Sequence, residues 1–109
     1  MVGAPNASFR YDAVSQENAG RVLEKVWNMA GQLGYGSMFQ KKQGFGLITD
    51  DHVYVNKDAR IPMIDIIDHR DEGIGFSPTW HTVNDNMENI SKETLQAVAN
   101  VLMTVLYNE

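Results

Sequence analysis

The sequence predicts a small α/β unit in which two long helices accompany two or three strands. Three observations lead to this fold class: a helical apolar pattern in the first third, a run of β-branched residues in the middle, and a second helical pattern at the C-terminus. A chain of 109 residues can bury a single core. Since it has no internal repeat, low-complexity segment or linker, we interpret residues 1–109 as one unit.

The first helix is predicted over residues 16–33. Residues 1–14 mix Gly, Pro and Asn with isolated apolar side chains, a pattern typical of a strand end followed by a loop. Ser15 can cap a helix N-terminus, and Gly34 is placed to end the helix. Helical spacing relates the apolar residues between them: Ala19, Val22, Leu23, Val26, Ala30 and Leu33.

The middle of the chain predicts one buried strand. Residues 35–49 are rich in glycine and read as irregular, and the polar residues 50–60 can form a short helical turn. Residues 61–68 carry five Ile or Met side chains in eight positions, which is typical of a strand covered on both faces. Asp65 interrupts this run, so we expect its carboxylate to find a buried partner.

The last third predicts a loop and a second long helix. Residues 69–80 read as a loop with Ile74 and Phe76 exposed, in which the charged stretch 69–72 is solvated. Ser91 is the expected N-cap of a helix over residues 92–107. The predicted buried stripe of this helix is Leu95, Val98, Ala99, Leu102, Val105 and Leu106.

Composition excludes several classes of function. Nine Lys+Arg against fourteen Asp+Glu give a net charge of −5, so we expect no nucleic-acid partner. No apolar stretch approaches the ~18 residues that a membrane span requires, and the N-terminus lacks a signal-peptide pattern. The absence of cysteine excludes disulfides, thiolate zinc sites and cysteine nucleophiles.

The three histidines are the candidate metal ligands, but they do not form a close pair at ligand spacing. His52 follows Asp50 and Asp51, whereas His81 follows Trp80. A zinc site that combines His81 with a carboxylate from Asp50 or Asp51 is chemically sensible. From spacing alone, the competing interpretation is that His81 is an ordinary loop or surface histidine.

Five motifs in a fixed order give the sequence a specific resemblance. They are GAPN-x-x-F at 3–9, D-D-H at 50–52, IP-x-x-D-I-I at 61–67, F-x-x-x-W-H-T at 76–82 and D-N-x-E-N-I at 85–90. Together they resemble the C-terminal portion of the zinc-dependent glutaminyl cyclase and aminopeptidase superfamily, nearer to the glutaminyl cyclase branch. The resemblance implies a C-terminal fragment of a three-layer α/β/α fold, the rest of a larger catalytic domain being absent.

The resemblance also implies roles for individual residues. His81 corresponds to a zinc ligand of the family. Asp50 or Asp51 corresponds to an aspartate of the hydrogen-bond network beside the catalytic carboxylates, and the doubled Asp leaves the choice open. Phe76 and Trp80 correspond to aromatic residues that line the pocket for the N-terminal side chain of the substrate.

Two departures from the family limit these expectations. Val53, Tyr54 and Val55 stand where the family often has a Pro-Phe pair. The other metal ligands and the general-base glutamate lie upstream of the first motif in the family. We therefore expect zinc to be the cofactor of a full-length relative, with the isolated chain binding none tightly and catalysing no turnover.

Three functions remain open from the sequence. The first is part of an enzyme that cyclises an N-terminal glutamine of a peptide to pyroglutamate. The second is part of a zinc aminopeptidase, and the third is a non-catalytic remnant that oligomerises. We expect the peptide N-terminus as substrate of the parent enzyme, and either a second copy or the missing N-terminal half as partner. A periplasmic or extracytoplasmic location of the parent protein is an expectation from relatives only.

Overall fold

The computed structural model describes residues 2–44, 48–71 and 75–108, and it confirms the α/β class. Two parallel strands and three α-helices are described: β1 (Phe9–Tyr11), α1 (Ala13–Gln32), β2 (Phe39–Gln43), α2 (Asp51–Tyr54) and α3 (Lys92–Tyr107). Single turns of π-helix at Val55–Ala59 and of 3₁₀-helix at Met87–Asn89 lie between α2 and α3. In these ranges, no helix combines the length and apolar character needed to cross a membrane.

Helix α1 is the crossover between the two parallel strands. Parallel neighbours require a connection of a dozen or more residues, which a helix of 20 residues provides. Phe9 pairs with Phe39 and Tyr11 with Gln43, with an irregularity of register between them. The segment predicted as irregular, residues 35–49, therefore contains β2. The sequence FQKKQ does not show the apolar pattern of a strand, because Phe39 is its only buried residue.

Helix α1 starts three residues earlier than predicted. Asp12, not Ser15, is the N-cap, and its side chain accepts a hydrogen bond from the Ser15 backbone N–H. Ser15 is fully buried inside the first turn. The predicted end is confirmed: the helix stops at Gln32, and Gly34 takes the left-handed backbone (φ 89°) that favours glycine.

The core lies where α1 and α3 meet the two strands. Three aromatic rings form its centre: the Phe9 and Phe39 centroids are 4.9 Å apart, and those of Trp27 and Phe39 are 5.2 Å apart. The Trp27 indole N–H donates to the Gln40 backbone oxygen at 3.1 Å, so its polar group is satisfied. Aliphatic side chains complete the core: Ala7, Leu23, Val26, Ala30, Val98, Val101 and Val105.

Helix α3 has the predicted bounds and the predicted Ser91 cap, but only Val98 and Val105 of its predicted stripe are buried. Its buried residues are Thr94, Ala97, Val98, Val101 and Val105. Leu95, Leu102 and Leu106 of the predicted stripe are instead exposed. The small and β-branched side chains fit against α1, which leaves the leucine face uncovered in this chain.

Residues 61–68 do not form the predicted strand. They run as an extended segment with a single antiparallel bridge, between Asp68 and Phe9. Side chains take the place of a strand ladder: the Asn56 amide bonds both backbone groups of Met63, and the Asp65 N–H donates to Ser15 Oγ at 2.8 Å. Pro62 has no N–H to donate. Ile61 is exposed, whereas Ile67 is buried, so the segment is covered only toward its C-terminal end.

Candidate functional site

Three of the predicted site residues have their rings in contact on the loop before α3: Phe76 is tilted against Trp80, and His81 stacks on Trp80. The Phe76 and Trp80 rings lie with centroids 4.5 Å apart, and the Trp80 and His81 rings stack at 3.7 Å and 17°. His81 is exposed and has a left-handed backbone (φ 56°), which is uncommon for a residue with a side chain. The imidazole of His81 therefore lies on the face of the Trp80 indole and is exposed to solvent.

Short-range hydrogen bonds hold this loop in shape. The Trp80 N–H donates to the Ser77 carbonyl at 2.9 Å, and the Thr82 hydroxyl donates to the Thr79 carbonyl at 2.6 Å. The Ser77 and Thr79 hydroxyls are 3.1 Å apart. These bonds fix successive turns, so the Trp80–His81 pair does not depend on a helix or a strand for its position.

A cavity of about 280 Å³ lies beside Trp80. The first motif and the start of α3 form its far wall, where Gly3 lies against Leu95 and Ile90. A Cβ atom on Gly3 would stand 3.4 Å from Leu95 Cδ2, so a larger residue would narrow this cavity. The lining is mostly apolar with a few polar groups, as is typical of small-molecule pockets.

The Asp pair lies at the N-terminus of α2, where the two residues differ in role. Asp50 is the N-cap, and its Oδ1 accepts the Asp51 backbone N–H at 2.8 Å. Both residues are exposed. Asp50, but not Asp51, is close enough to Asp65 to raise the pKa of that carboxyl.

Behind Asp50 lies a buried polar cluster that the sequence analysis did not predict. His52 Nε2 is 2.7 Å from Asp12 Oδ2, and both side chains are at most 1% exposed. His52 Nδ1 is 3.8 Å from Asp65 Oδ2. Ser15 joins the cluster from α1, since its hydroxyl donates to Asp12 and accepts the Asp65 N–H.

The pKa of Asp65 is raised above its ordinary value. The largest cause is burial, which penalises the charged carboxylate. The negative charges of Asp50 and Asp12 raise the pKa further, while His52 opposes them. Asp65 Oδ2 lies 3.8 Å from His52 Nδ1, which is too far for a hydrogen bond, and it has no hydrogen-bond partner among the described residues. The buried partner that the sequence analysis expected for Asp65 is therefore not found there.

Asp12 and His52 were missed because 40 residues separate them. A local signal exists for half of the pair: Asp at the position before an apolar helical pattern, with Ser three residues later, is typical of an N-cap. No sequence signal indicates that the same carboxylate also receives a histidine.

The prediction of a solvated stretch at 69–72 is wrong for its first residue. His69 is fully buried, and a Cβ atom on Gly44 would stand 2.3 Å from its ring. Burial lowers the pKa of His69, and the nearby Arg10 charge lowers it further. The neighbouring Asp68 is also buried and binds Arg70, at 2.6 Å. Glu72 and Ile74 lie outside the described residues.

The part of the chain that the structure describes does not hold a full set of zinc ligands. It contains no group of three or more His, Asp or Glu side chains that could hold a metal. Among the same residues, no hydrogen bond or ion pair joins His81 to Asp50 or Asp51. Since zinc sites use three or four protein ligands, His81 fits as one ligand of a site that needs others.

The fold matches the C-terminal part of larger α/β structures. Residues 1–106 match Peptidase family M28. The chain belongs to this family. Among proteins with curated descriptions, none matches the chain.

The solved structures with a nearly identical fold include both glutaminyl cyclases and peptidases. The Tannerella forsythia glutaminyl cyclase has a TM-score of 0.96 and 48% identity over all of this chain and 38% of its own. A leucine aminopeptidase precursor from Bacteroides thetaiotaomicron has a TM-score of 0.92 and 46% identity over all of this chain and 36% of its own. A Zn-dependent exopeptidase from Parabacteroides distasonis gives 0.94 and 46%, over all of this chain and 37% of its own.

The chain therefore spans little more than a third of the length of these structures. The predicted resemblance to the glutaminyl cyclase and zinc exopeptidase superfamily is confirmed. Sequence identity is 48% to the glutaminyl cyclase and 46% to each of the two peptidases. Identity therefore does not distinguish a cyclase from a peptidase.

Proposed function

We propose that this chain is the C-terminal part of a glutaminyl-peptide cyclotransferase-like zinc enzyme. The observation that carries the proposal is the contact among the Phe76, Trp80 and His81 rings, in which an exposed imidazole stacks on the indole. That combination suits a metal ligand beside an apolar substrate pocket. We expect the isolated chain to be inactive, because its described residues do not hold the three or four ligands that a zinc site needs.

Each candidate residue has one role in this proposal. His81 binds zinc, and stacking on Trp80 orients its ring. Phe76 and Trp80 wall off the N-terminal side chain of the peptide and exclude water from it. Asp50 is favoured over Asp51 for the proton network, because Asp50 interacts electrostatically with the buried Asp65.

The proposed reaction joins the N-terminal amine of a peptide to its own glutamine side chain. The amine nitrogen bonds to the amide carbon, the bond from that carbon to the amide nitrogen breaks, and ammonia leaves with the proton that the amine loses. His81 would hold zinc together with ligands from outside this chain, and the metal would supply Lewis-acid polarisation of the amide carbonyl. The carboxylates of Asp50 and Asp65 accept the proton that the amine loses and return it to the leaving ammonia.

A second candidate is a zinc aminopeptidase that hydrolyses peptides. The names of the aminopeptidase and exopeptidase structures support it, at almost the same identity as the cyclase. The two candidates use the same loop but differ in the metal site, because two-metal sites are common in aminopeptidases. One metal per chain therefore favours cyclisation, and two favour hydrolysis.

The test is a chimera in which residues 1–109 replace the matching C-terminal part of the Tannerella forsythia glutaminyl cyclase. We expect the chimera to release ammonia from a peptide with N-terminal glutamine, and the His81→Ala variant to lose about 100-fold or more in kcat/KM. Val83→Ala is the matched control, since Val83 lies two residues away and is 93% exposed.

Two results would contradict the proposal. A folded chimera that binds zinc but releases no ammonia from the glutamine peptide would show that residues 1–109 do not complete a cyclase site. A His81→Ala chimera as active as the Val83→Ala control would remove His81 from the site.

A further inference from the structure

The N-terminus of α1 makes hydrogen bonds to two segments that lie far from it in the sequence. Asp12 Oδ2 and His52 Nε2 are 2.7 Å apart, and the Ser15 hydroxyl oxygen accepts the Asp65 backbone N–H at 2.8 Å. Since a carboxylate only accepts, the imidazole donates the first of these bonds. Asp12, Ser15 and His52 are each at most 1% exposed, so the bond between Asp12 and His52 is shielded from bulk water.

Asp12 and Ser15 stand where β1 ends and α1 begins, and both elements belong to the core. Asp12 is the N-cap of α1, and its Oδ2 also accepts the Ser15 backbone N–H and the Ser15 hydroxyl, each at 2.9 Å. Phe9 of β1 and Leu23 of α1 are buried in the core on either side of them. Polar groups on packed elements keep their positions more precisely than groups on loops. The two side chains therefore form a fixed point of the fold.

The two segments that receive these bonds have little regular structure of their own. Helix α2 has four residues, whereas isolated helices shorter than about 12 residues are marginal in water. Residues 61–68 are extended and make one isolated bridge to β1 at their C-terminal end. The position of these segments therefore depends on the bonds that other elements make to them.

Asn56 joins the same two segments to each other. Its side-chain nitrogen donates to the backbone oxygens of His52 and Met63, each at 2.7 Å, and its oxygen accepts the Met63 N–H at 3.0 Å. Helix α2 and the extended segment are thus linked at one end by Asn56. The bonds from Asp12 and Ser15 hold both of them against α1.

Asp50 and Asp65, the two carboxylates of the proposed proton network, lie on these segments. Asp50 is the N-cap of α2, two residues before His52. Asp65 is the residue whose own backbone N–H Ser15 accepts. The two carboxylates are close enough for the charge of Asp50 to raise the pKa of Asp65. A shift of either segment would change the distance between them.

We propose that Asp12 and Ser15 are positioning residues, which hold Asp50 and Asp65 in place relative to each other. Asp12 acts through His52 on α2, and Ser15 acts on the backbone of Asp65. Both side chains are fully buried, so their role is one of geometry rather than of contact with a substrate. The meaning of this arrangement for catalysis rests on the proposed function, but the hydrogen bonds that hold the two segments do not.

Amide hydrogen exchange, measured by NMR in the 109-residue chain, tests whether α1 holds the extended segment. Ser15→Ala removes only the hydroxyl and keeps a residue that favours helix. We expect the Asp65 N–H to exchange about tenfold faster in this variant, and the increase to exceed any change at the Trp27 N–H in the core. Glu17→Ala, at an exposed position of the same helix, is the control. An increase at Asp65 no larger than that at Trp27, or no larger than in the control, would overturn the inference.

Activity of the chimera tests the catalytic consequence. We expect Asp12→Ala and Ser15→Ala each to lower kcat about tenfold, with KM and zinc content unchanged, because a small displacement of a reacting group is enough to slow a reaction. Asp12→Asn keeps an oxygen that can accept from His52, so it should retain the kcat of the parent. Glu17→Ala is again the control. Ser15→Ala keeps the test decisive if Asp12→Ala does not fold.

The two experiments separate this inference from the proposed function. An inactive parent chimera would reject the proposed function and leave the exchange result standing. An active chimera in which Asp12→Ala and Ser15→Ala have the kcat of Glu17→Ala would reject the positioning role. An Asp12→Asn chimera as impaired as Asp12→Ala would also reject it, since the charge of Asp12 rather than its geometry would then matter.

Discussion

Buried ionisable side chains concentrate where the segments of this chain cross. Asp12 caps α1 and binds His52 from α2, while Asp68 binds the Ser8 N–H and the Arg70 guanidinium. Local sequence predicts the cap but not its second partner, because a contact across 40 residues leaves no local pattern. The same limitation explains why His69 looked solvated: its charged neighbours in sequence conceal that its ring packs on Gly44.

His69 makes stability depend on pH in a defined direction. Its pKa in the folded chain lies below the ordinary value of 6.5, so the unfolded chain binds the proton more tightly. The stability that this residue contributes is present above about pH 6.5 and is lost as pH falls through the lowered pKa. We expect His69→Gln to flatten the decrease in the urea midpoint between about pH 7 and pH 5.

Asp65→Asn serves as the comparison for that measurement. The raised pKa of Asp65 has the opposite sign: its contribution is present at low pH and lost as pH rises through the raised value. The Asp65→Asn substitution should therefore make the decrease in the urea midpoint toward acid pH steeper. An unchanged pH dependence in His69→Gln would contradict the assignment to His69.

At the scale of elements, sequence signals located the long helices but not the surfaces they bury. Ser91 and the apolar periodicity gave α3 its bounds, because caps and spacing are local properties. The predicted buried face of α3 is confirmed at Val98 and Val105 and wrong at its leucines. A helix that is apolar on two sides can bury either side, and the packing of this chain buries Val101 rather than Leu102. Strand β2 was not predicted, because its composition is not typical of a strand. It is a strand because its backbone pairs with β1.

A pair of truncations in α3 tests the buried face. Val101 is fully buried and Leu106 is 69% exposed. We expect Val101→Ala to lower the free energy of unfolding by about 1.5–3 kcal/mol, since two buried methyl groups are lost. Leu106→Ala should change it by no more than about 0.5 kcal/mol, although it removes more atoms.

Urea unfolding at a protein concentration where the chain is monomeric makes this comparison. The reverse order of effects would mean that the leucine face, as the sequence predicted, lies against the core.

At the scale of the whole chain, which spans little more than a third of the length of the structures it matches, one face of α3 is apolar and exposed. Leu102, Met103, Leu106 and Tyr107 of α3 are between 36% and 82% exposed. Exposed apolar patches of this kind mark interaction surfaces. The expectation of an oligomer, made from the sparse sheet, is supported by this face and remains a prediction.

We expect the isolated chain to associate with a second copy through the leucine face. The double variant Leu102→Glu, Leu106→Glu should reduce the mass measured by light scattering to that of one chain. Val83→Glu adds a charge at a 93% exposed site outside α3 and should leave the mass unchanged. A parent chain that is already monomeric at about 100 μM would refute the prediction, since stable interfaces persist at this concentration.

Zinc content tests most directly the claim that this chain supplies one ligand to a site completed elsewhere. Elemental analysis after size-exclusion chromatography should find little zinc in the isolated chain and about one tightly bound zinc in the chimera. The His81→Ala chimera should lose that zinc, whereas the Val83→Ala chimera should keep it. About one zinc per isolated chain, or full zinc in the His81→Ala chimera, would contradict the account.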